Sequence, residues 1–189
     1  MKAVCILGSP RAGGNTETIM AEITRALATC GIDTILHRLS DRRIGYCRGC
    51  KACDATGACV QADDVQRIMA DVFAAQLVLV ASPSYWGDVT GQMKVFIDRC
   101  TPYGNTNPAA GPCSAKGVAI AVRAGNSKAE IMQLVRTVEH FLGHLEIPLI
   151  AQFTVEGINT PEDLAQRPQV LADAYAFGEE LCGLLAAEG

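Results

Sequence analysis

Short apolar runs of strand length alternate with segments of helical hydrophobic period along the whole chain, and this alternation constrains the fold more than any single motif. The strand candidates are residues 3–7, 32–39, 77–81, 117–122 and 147–155. Leu77-Val78-Leu79-Val80 has no polar interruption, as expected of a strand covered on both faces, whereas 32–39 is mixed and suits an edge. Between them, Val65, Ile68, Met69, Val72 and Phe73 recur at i, i+3, i+4, i+7 and i+8, and Ile131, Leu134, Val135, Val138 and Leu142 continue the same period. Softer helices are expected over about 15–29 and 90–100. A long C-terminal helix through Val170, Leu171, Ala174, Phe177, Leu181, Leu184 and Leu185 is expected to open at Thr160, with Pro161 in its first turn. Strand–helix alternation of this kind predicts an α/β domain: a doubly wound, five-stranded parallel sheet of order 2-1-3-4-5.

Composition narrows the class. The 189 residues suit one domain, and 49% hydrophobic with 19% charged residues excludes a disordered chain. A formal net charge of −4 without a long basic run argues against nucleic acid as partner. No apolar run reaches the length of a membrane span. The first residues read as a buried strand rather than a signal peptide, so a reducing, cytoplasmic setting is expected, with structural disulfides improbable. Two connections are too long for plain turns, 40–60 and 101–115, and long loops in compact domains tend to be functional.

After the first strand stands Gly8-Ser9-Pro10-Arg11-Ala12-Gly13-Gly14-Asn15-Thr16. It lacks the lysine of a nucleoside-triphosphate loop, and Pro10 occupies the middle glycine of a dinucleotide fingerprint. Ser9, Arg11, Gly14, Asn15 and Thr16, with the N–H groups opening the next helix, suit a single phosphate monoester; a plain glycine-rich turn is the bland alternative. The third strand leads into Pro83-Ser84-Tyr85-Trp86-Gly87. Strands 1 and 3 diverge at the topological switch point of such a sheet, so the two loops should face one another there. A phosphate grip opposite an aromatic loop points to flavin mononucleotide (FMN), with Tyr85 or Trp86 flanking the ring, unless these aromatics merely cap the core. Ala124 and Gly125, after the fourth strand, are further contact candidates.

Nine cysteines are present, four of them at Cys47, Cys50, Cys53 and Cys59. Three thiolates at x2 spacing and a fourth after five residues fit one self-contained [4Fe–4S] cluster; zinc, free thiols or a redox-active pair are the alternatives. The loop follows strand 2, so the cluster is expected on the FMN-binding edge, within one protomer or across a subunit contact. Cys5, Cys30, Cys100, Cys113 and Cys182 read as small apolar residues. His140 and His144, an i, i+4 pair, read as solvated or capping residues rather than zinc ligands, and His37 has no assigned role.

The segment 8–16, the four-cysteine loop with Val60 and Asp63-Asp64, and Ser82-Pro83-Ser84-Tyr85-Trp86-Gly87 with Gln92-Met93-Lys94 and Phe96-Ile97-Asp98-Arg99 together resemble the iron–sulfur flavoproteins. These lie within the NAD(P)H-dependent FMN reductase group of flavodoxin-like fold. The resemblance implies a single flavodoxin-like domain over 1–189 with a cysteine-rich insertion at about 40–60, holding FMN and one [4Fe–4S] cluster. It also implies a homodimer or homotetramer and electron exchange with a ferredoxin-like carrier, NAD(P)H being a second candidate donor. No general acid or base is assigned, because the cofactor carries the chemistry. Two other readings remain: an NAD(P)H-dependent FMN or quinone reductase without iron, and a carrier without its own substrate.

Overall fold

In the computed structural model, which describes residues 1–104 and 113–187, the residue-by-residue alternation of the central strands sorts the core into two halves. β1 (Lys2–Leu7) turns Ala3, Cys5 and Leu7 to one face of the sheet and Val4 and Ile6 to the other. The first set packs on α1 (Asn15–Thr29), and the second packs against helices from the middle of the chain. β2 (Asp33–Arg38) pairs with β1 in parallel and is the half-exposed edge its composition suggests. A short helix, α2 (Ala52–Thr56), lies within the cysteine loop and precedes α3 (Asp64–Phe73).

β3 (Leu77–Pro83) follows and pairs with the other side of β1. Then come α4 (Gly91–Arg99), β4 (Lys116–Val122), α5 (Lys128–His144), β5 (Leu149–Val155), α6 (Pro161–Ala165) and α7 (Pro168–Ala186). All pairings are parallel and the order is β2-β1-β3-β4-β5, as expected. α1 and α7 cover one face; α3, α4 and α5 cover the other. Among the described residues no helix is long and apolar enough to cross a membrane.

Two expectations are corrected. The C-terminal helix does not open at Thr160. Thr160 caps only the five-residue α6, and α7 begins at Pro168. Proline drives the residue before it out of helical geometry, and Arg167 accordingly sits at φ −126°, ψ 62°.

The second correction concerns disulfides. Cys30 and Cys182 are bonded, with Cα atoms 6.3 Å apart. The cause is a close helix crossing: a Cβ on Gly178 would lie 2.6 Å from both Ala26 Cβ and Ile23 O. One turn beyond that contact, α7 presents Cys182 to Cys30 at the end of α1. Cys5, Cys100 and Cys113 are buried as read, and burial pushes the Cys5 thiol up to about 12.

Candidate functional site

The glycine-rich loop leaves β1 at Gly8, whose carbonyl accepts a 2.6 Å bond from the Thr90 hydroxyl. Thr90 also caps α4, accepting from Met93 N–H at 3.3 Å, so one buried side chain ties the loop after β1 to the helix after β3. Gly13 takes φ +65°, and its N–H donates to Glu17 at 2.9 Å. Glu17 is itself paired with Arg38, whose hydrogen bond holds the Glu17 carboxyl below its ordinary range.

The decisive detail is at the start of α1. Asp63, Thr90, Ser127 and Thr160 cap α3, α4, α5 and α6 through their side chains, whereas α1, like α2 and α7, has no side-chain cap, and it opens at Gly14. The first-turn N–H groups of a fifteen-residue helix are thus left for an outside acceptor. In front of them is a cavity of about 80 Å³, lined by Ser9, Arg11, Gly14, Asn15, Thr16, Pro83, Ser84, Tyr85 and Ala124. Nine of the twelve expected contacts therefore converge there. The buried Asn15 Oδ1 has no partner, while its Nδ2 donates to Thr160 O at 3.0 Å.

The other three expected contacts lie outside the cavity. Gly125 turns toward the Arg123 side chain: a Cβ there would meet Nη2 at 3.0 Å, and Arg123 is paired with Glu130. Trp86 and Gly87 form the tip of a tight turn, in which Tyr85 N–H donates to Asp88 O at 2.8 Å and Asp88 N–H donates back at 3.2 Å. Both tip residues have positive φ, 54° and 78°, the pattern of a type I′ hairpin turn. Such turns favour Asn-Gly; a tryptophan in this conformation is strained by about 1–2 kcal/mol. Trp86 is 105% exposed, so it does not cap the core.

Val122, Ile158 and Asn159 also line the cavity and were missed by the sequence reading. The signal for Ile158 and Asn159 was Gly157-Ile158-Asn159-Thr160-Pro161, the turn after the last strand, and that for Val122 was its place at the end of β4, because loops after parallel strands gather at one sheet edge.

The four cysteines line a second cavity, of about 250 Å³, with Arg99, Thr101 and Pro102 across from them. Left-handed backbone at Gly49, Lys51 and Gly57, with the single turn of α2, wraps the loop around this space. Cys47 and Cys50 are exposed, Cys53 and Cys59 half-buried. Partial burial, with the Asp54 carboxylate beside it, holds the Cys53 thiol above its ordinary value.

Among the described residues no three His, Cys, Asp or Glu side chains converge on a single-ion position. His140 and His144 stand exposed at the end of α5, with Nε2 atoms 3.2 Å apart and bonded to each other. They edge a larger groove between α4 and α5, of about 630 Å³. The turn-rich part of the 101–115 connection from 105 to 112 lies outside the described residues.

The cysteine cavity does not share the sheet edge with the cavity at the start of α1, which corrects the expected adjacency within one chain. Thr90 and Gly8 meet at the start of α4, whereas Asp98 and Arg99 reach the cysteines at its end. Nine residues of helix separate them, about 14 Å. After β2 the loop descends along α4, where Arg99 holds the carbonyls of Gly45 and Gln61. Arg99 was missed as a site residue; its signal was a guanidinium at the i+3 position after the buried pair Met93 and Phe96.

Comparison with known proteins adds the family. The model for NADPH-dependent FMN reductases matches residues 1–158. The chain belongs to the NADPH-dependent FMN reductase family. The chain is 42% identical over 130 residues to an iron–sulfur flavoprotein of Archaeoglobus fulgidus, covering 69% of this chain and 58% of that one. It is 38% identical over 102 residues to an iron–sulfur flavoprotein of Methanocaldococcus jannaschii, covering 54% and 53% of the two chains. The match thus spans little more than half the length of these relatives. A solved NAD(P)H:quinone oxidoreductase from Methanothermobacter marburgensis superposes with a TM-score of 0.74 over 96% of both chains at 16% identity, a likeness of fold.

Proposed function

We propose that this FMN reductase-family chain is a flavin-dependent oxidoreductase in which Cys47, Cys50, Cys53 and Cys59 hold a [4Fe–4S] cluster. The cluster would relay single electrons between a ferredoxin-like carrier and FMN. The observation that carries the reading is the lining of one 250 Å³ cavity by all four cysteines, with a buried cation against Cys59. Bound FMN supplies two-electron chemistry and a [4Fe–4S] cluster supplies one-electron transfer; the chain supplies binding and orientation.

The uncapped start of α1, the Ser9 and Thr16 side chains and Arg11 fit the FMN phosphate. The partnerless Asn15 Oδ1 suits a ribityl hydroxyl. A cavity of about 80 Å³ admits a phosphate and the start of its chain, not a three-ring system, so the flavin ring lies outside it. Tyr85 borders the exit, and Trp86 stands fully exposed beside it, free to cover one face of the ring. Arg42, Arg43, Arg48 and Lys51 fall within ten residues of the cysteine loop, without an acidic residue between them. With exposed Tyr46 and Val60, they suit an acidic carrier protein docking over Cys47 and Cys50.

The family model and the fold of the quinone oxidoreductase favour a second reading, an NAD(P)H-dependent FMN or quinone reductase without iron. An absorption spectrum with iron and sulfide assays on anaerobically prepared protein separates the two. Flavin bands with stoichiometric iron and sulfide are expected; flavin without iron, together with NAD(P)H turnover, refutes the cluster and selects the second reading.

A further inference from the structure

Arg99 faces the core from α4, 1% exposed, in line with Met93 and Phe96. A guanidinium so far from water is tolerated where its donors are used. Here Nη1 and Nη2 are used on the cysteine loop and on Asp63, while the buried Nε has no hydrogen-bond partner among the described residues. Nη1 donates to Gly45 O at 2.7 Å and to Asp63 Oδ2 at 2.6 Å. Nη2 donates to Asp63 Oδ1 at 3.1 Å, to Gln61 O at 3.4 Å and to Cys59 Sγ at 3.5 Å.

These partners have a pattern. Gly45 lies two residues before the first loop cysteine and Gln61 two residues after the last, so one side chain clamps both limbs of the loop. Asp63 is fixed in turn, capping α3 and accepting from Gly45 N–H at 3.1 Å. An ion pair with Asp63 would by itself neutralise the charge. The two carbonyls and the sulfur are additional; Cys59 and Gln61 line the cysteine cavity, and Gly45 leads into it two residues before Cys47.

We propose that Arg99 is a positioning residue for the cysteine site: it holds the two limbs together, orients Cys59 and donates an N–H to its sulfur, favouring the reduced form of the cluster. The proposal rests on the reading that the four cysteines hold [4Fe–4S]. Hydrogen bonds to the sulfurs are among the terms that set a cluster's potential, and their loss makes it harder to reduce. Lysine keeps the charge but, as a compact point charge, cannot span Asp63, two carbonyls and a thiolate together.

The test is anaerobic reconstitution of the wild type and of Arg99→Lys, followed by measurement of iron, sulfide, FMN content, near-UV circular dichroism and cluster midpoint potential. Wild-type FMN and fold are expected in Arg99→Lys. Its cluster should be either depleted or shifted by about tenfold in its reduction equilibrium, 59 mV downward for one electron. Full iron at the wild-type potential overturns the proposal. If Arg99→Lys does not fold, Arg99→Gln combined with Asp63→Asn removes both charges and is read the same way. Failure of both variants to fold makes Arg99 a packing residue and also overturns it. Wild-type protein that takes up neither iron nor sulfide removes the cluster reading and the proposal together, an outcome distinct from an unshifted variant.

Discussion

Replacing Trp86 by glycine should change stability and FMN affinity in opposite directions. Trp86 sits at φ 54° and is 105% exposed, so no packing is lost when its side chain goes. Relief of the left-handed conformation is worth about 1–2 kcal/mol. Glycine returns about 0.5–1 kcal/mol of that through the greater freedom of its unfolded chain. The net is roughly 0.5–1 kcal/mol in favour of the FMN-free fold, or about 1–4 °C in Tm for a chain of this size. An indole laid on one face of a flavin ring covers about 80–100 Å², worth about 2 kcal/mol, so Kd for FMN should rise roughly 30-fold. Trp86→Ala is the control, losing the indole but keeping the strain, and should weaken FMN equally without raising Tm. Thermal melts of FMN-free protein and fluorescence titration with FMN measure both. A Trp86→Gly variant that melts lower, or binds FMN as tightly as the wild type, refutes the reasoning.

Further expectations follow from individual contacts. Cys50→Ser should abolish iron and sulfide retention while leaving FMN bound, because the two cavities lie at opposite ends of α4; simultaneous loss of FMN would contradict that separation. Gly178→Val would drive new atoms into Ala26 and the Ile23 carbonyl, and should cost about 1–3 kcal/mol in urea unfolding. Reducing Cys30–Cys182, 152 residues apart in sequence, should lower stability by up to about 5 kcal/mol on the chain-entropy account, seen as a lower Tm with reductant that Cys30→Ser no longer shows. His37 is buried beside Asp71, and burial, reinforced by Arg42, pushes its imidazole below the usual histidine range despite the carboxylate. Its folded form therefore resists a proton that the unfolded chain accepts. Its contribution is complete above about pH 6.5 and is lost as pH falls toward the folded value, so urea midpoints should drop more steeply below pH 6.5 in the wild type than in His37→Gln.

Local physics was legible in the sequence where it is also decisive. The uninterrupted run of 77–80 became the buried centre of β3, the mixed 32–39 became the edge, and the alternation of elements carried the sheet order. That Ser9, Arg11, Gly14, Asn15 and Thr16 would share one site was readable because they are contiguous, and they line one cavity. What escaped depends on contacts between distant segments. Cys30 and Cys182 pair because Gly178 lets two helices approach, a fact that neither cysteine's neighbours announce. The cysteine loop was expected beside the phosphate loop because β2 adjoins β1; its descent along α4 is set by Arg99, forty residues beyond Cys59. The helix break at Pro168 was the one local miss: Thr160-Pro161 is a sound start signal, and the second proline was not weighed against it.

The clamp at Arg99 bears on how such a chain can change over evolutionary time. The cavity at the start of α1 is made from the loops that any sheet of this order presents at one edge, and nothing from residues 42–62 lines it. A descendant could shed that insertion and keep this cavity. It could not do so with α4 unaltered, for Gly45, Cys59 and Gln61 would go with the insertion and Asp63 would lose its anchoring N–H. The Arg99 guanidinium would keep only its ion pair with Asp63 in an otherwise apolar core. Position 99 and the cysteine loop should therefore be inherited as a unit: arginine wherever the four-cysteine insertion is retained, and an apolar or small residue wherever it has been lost.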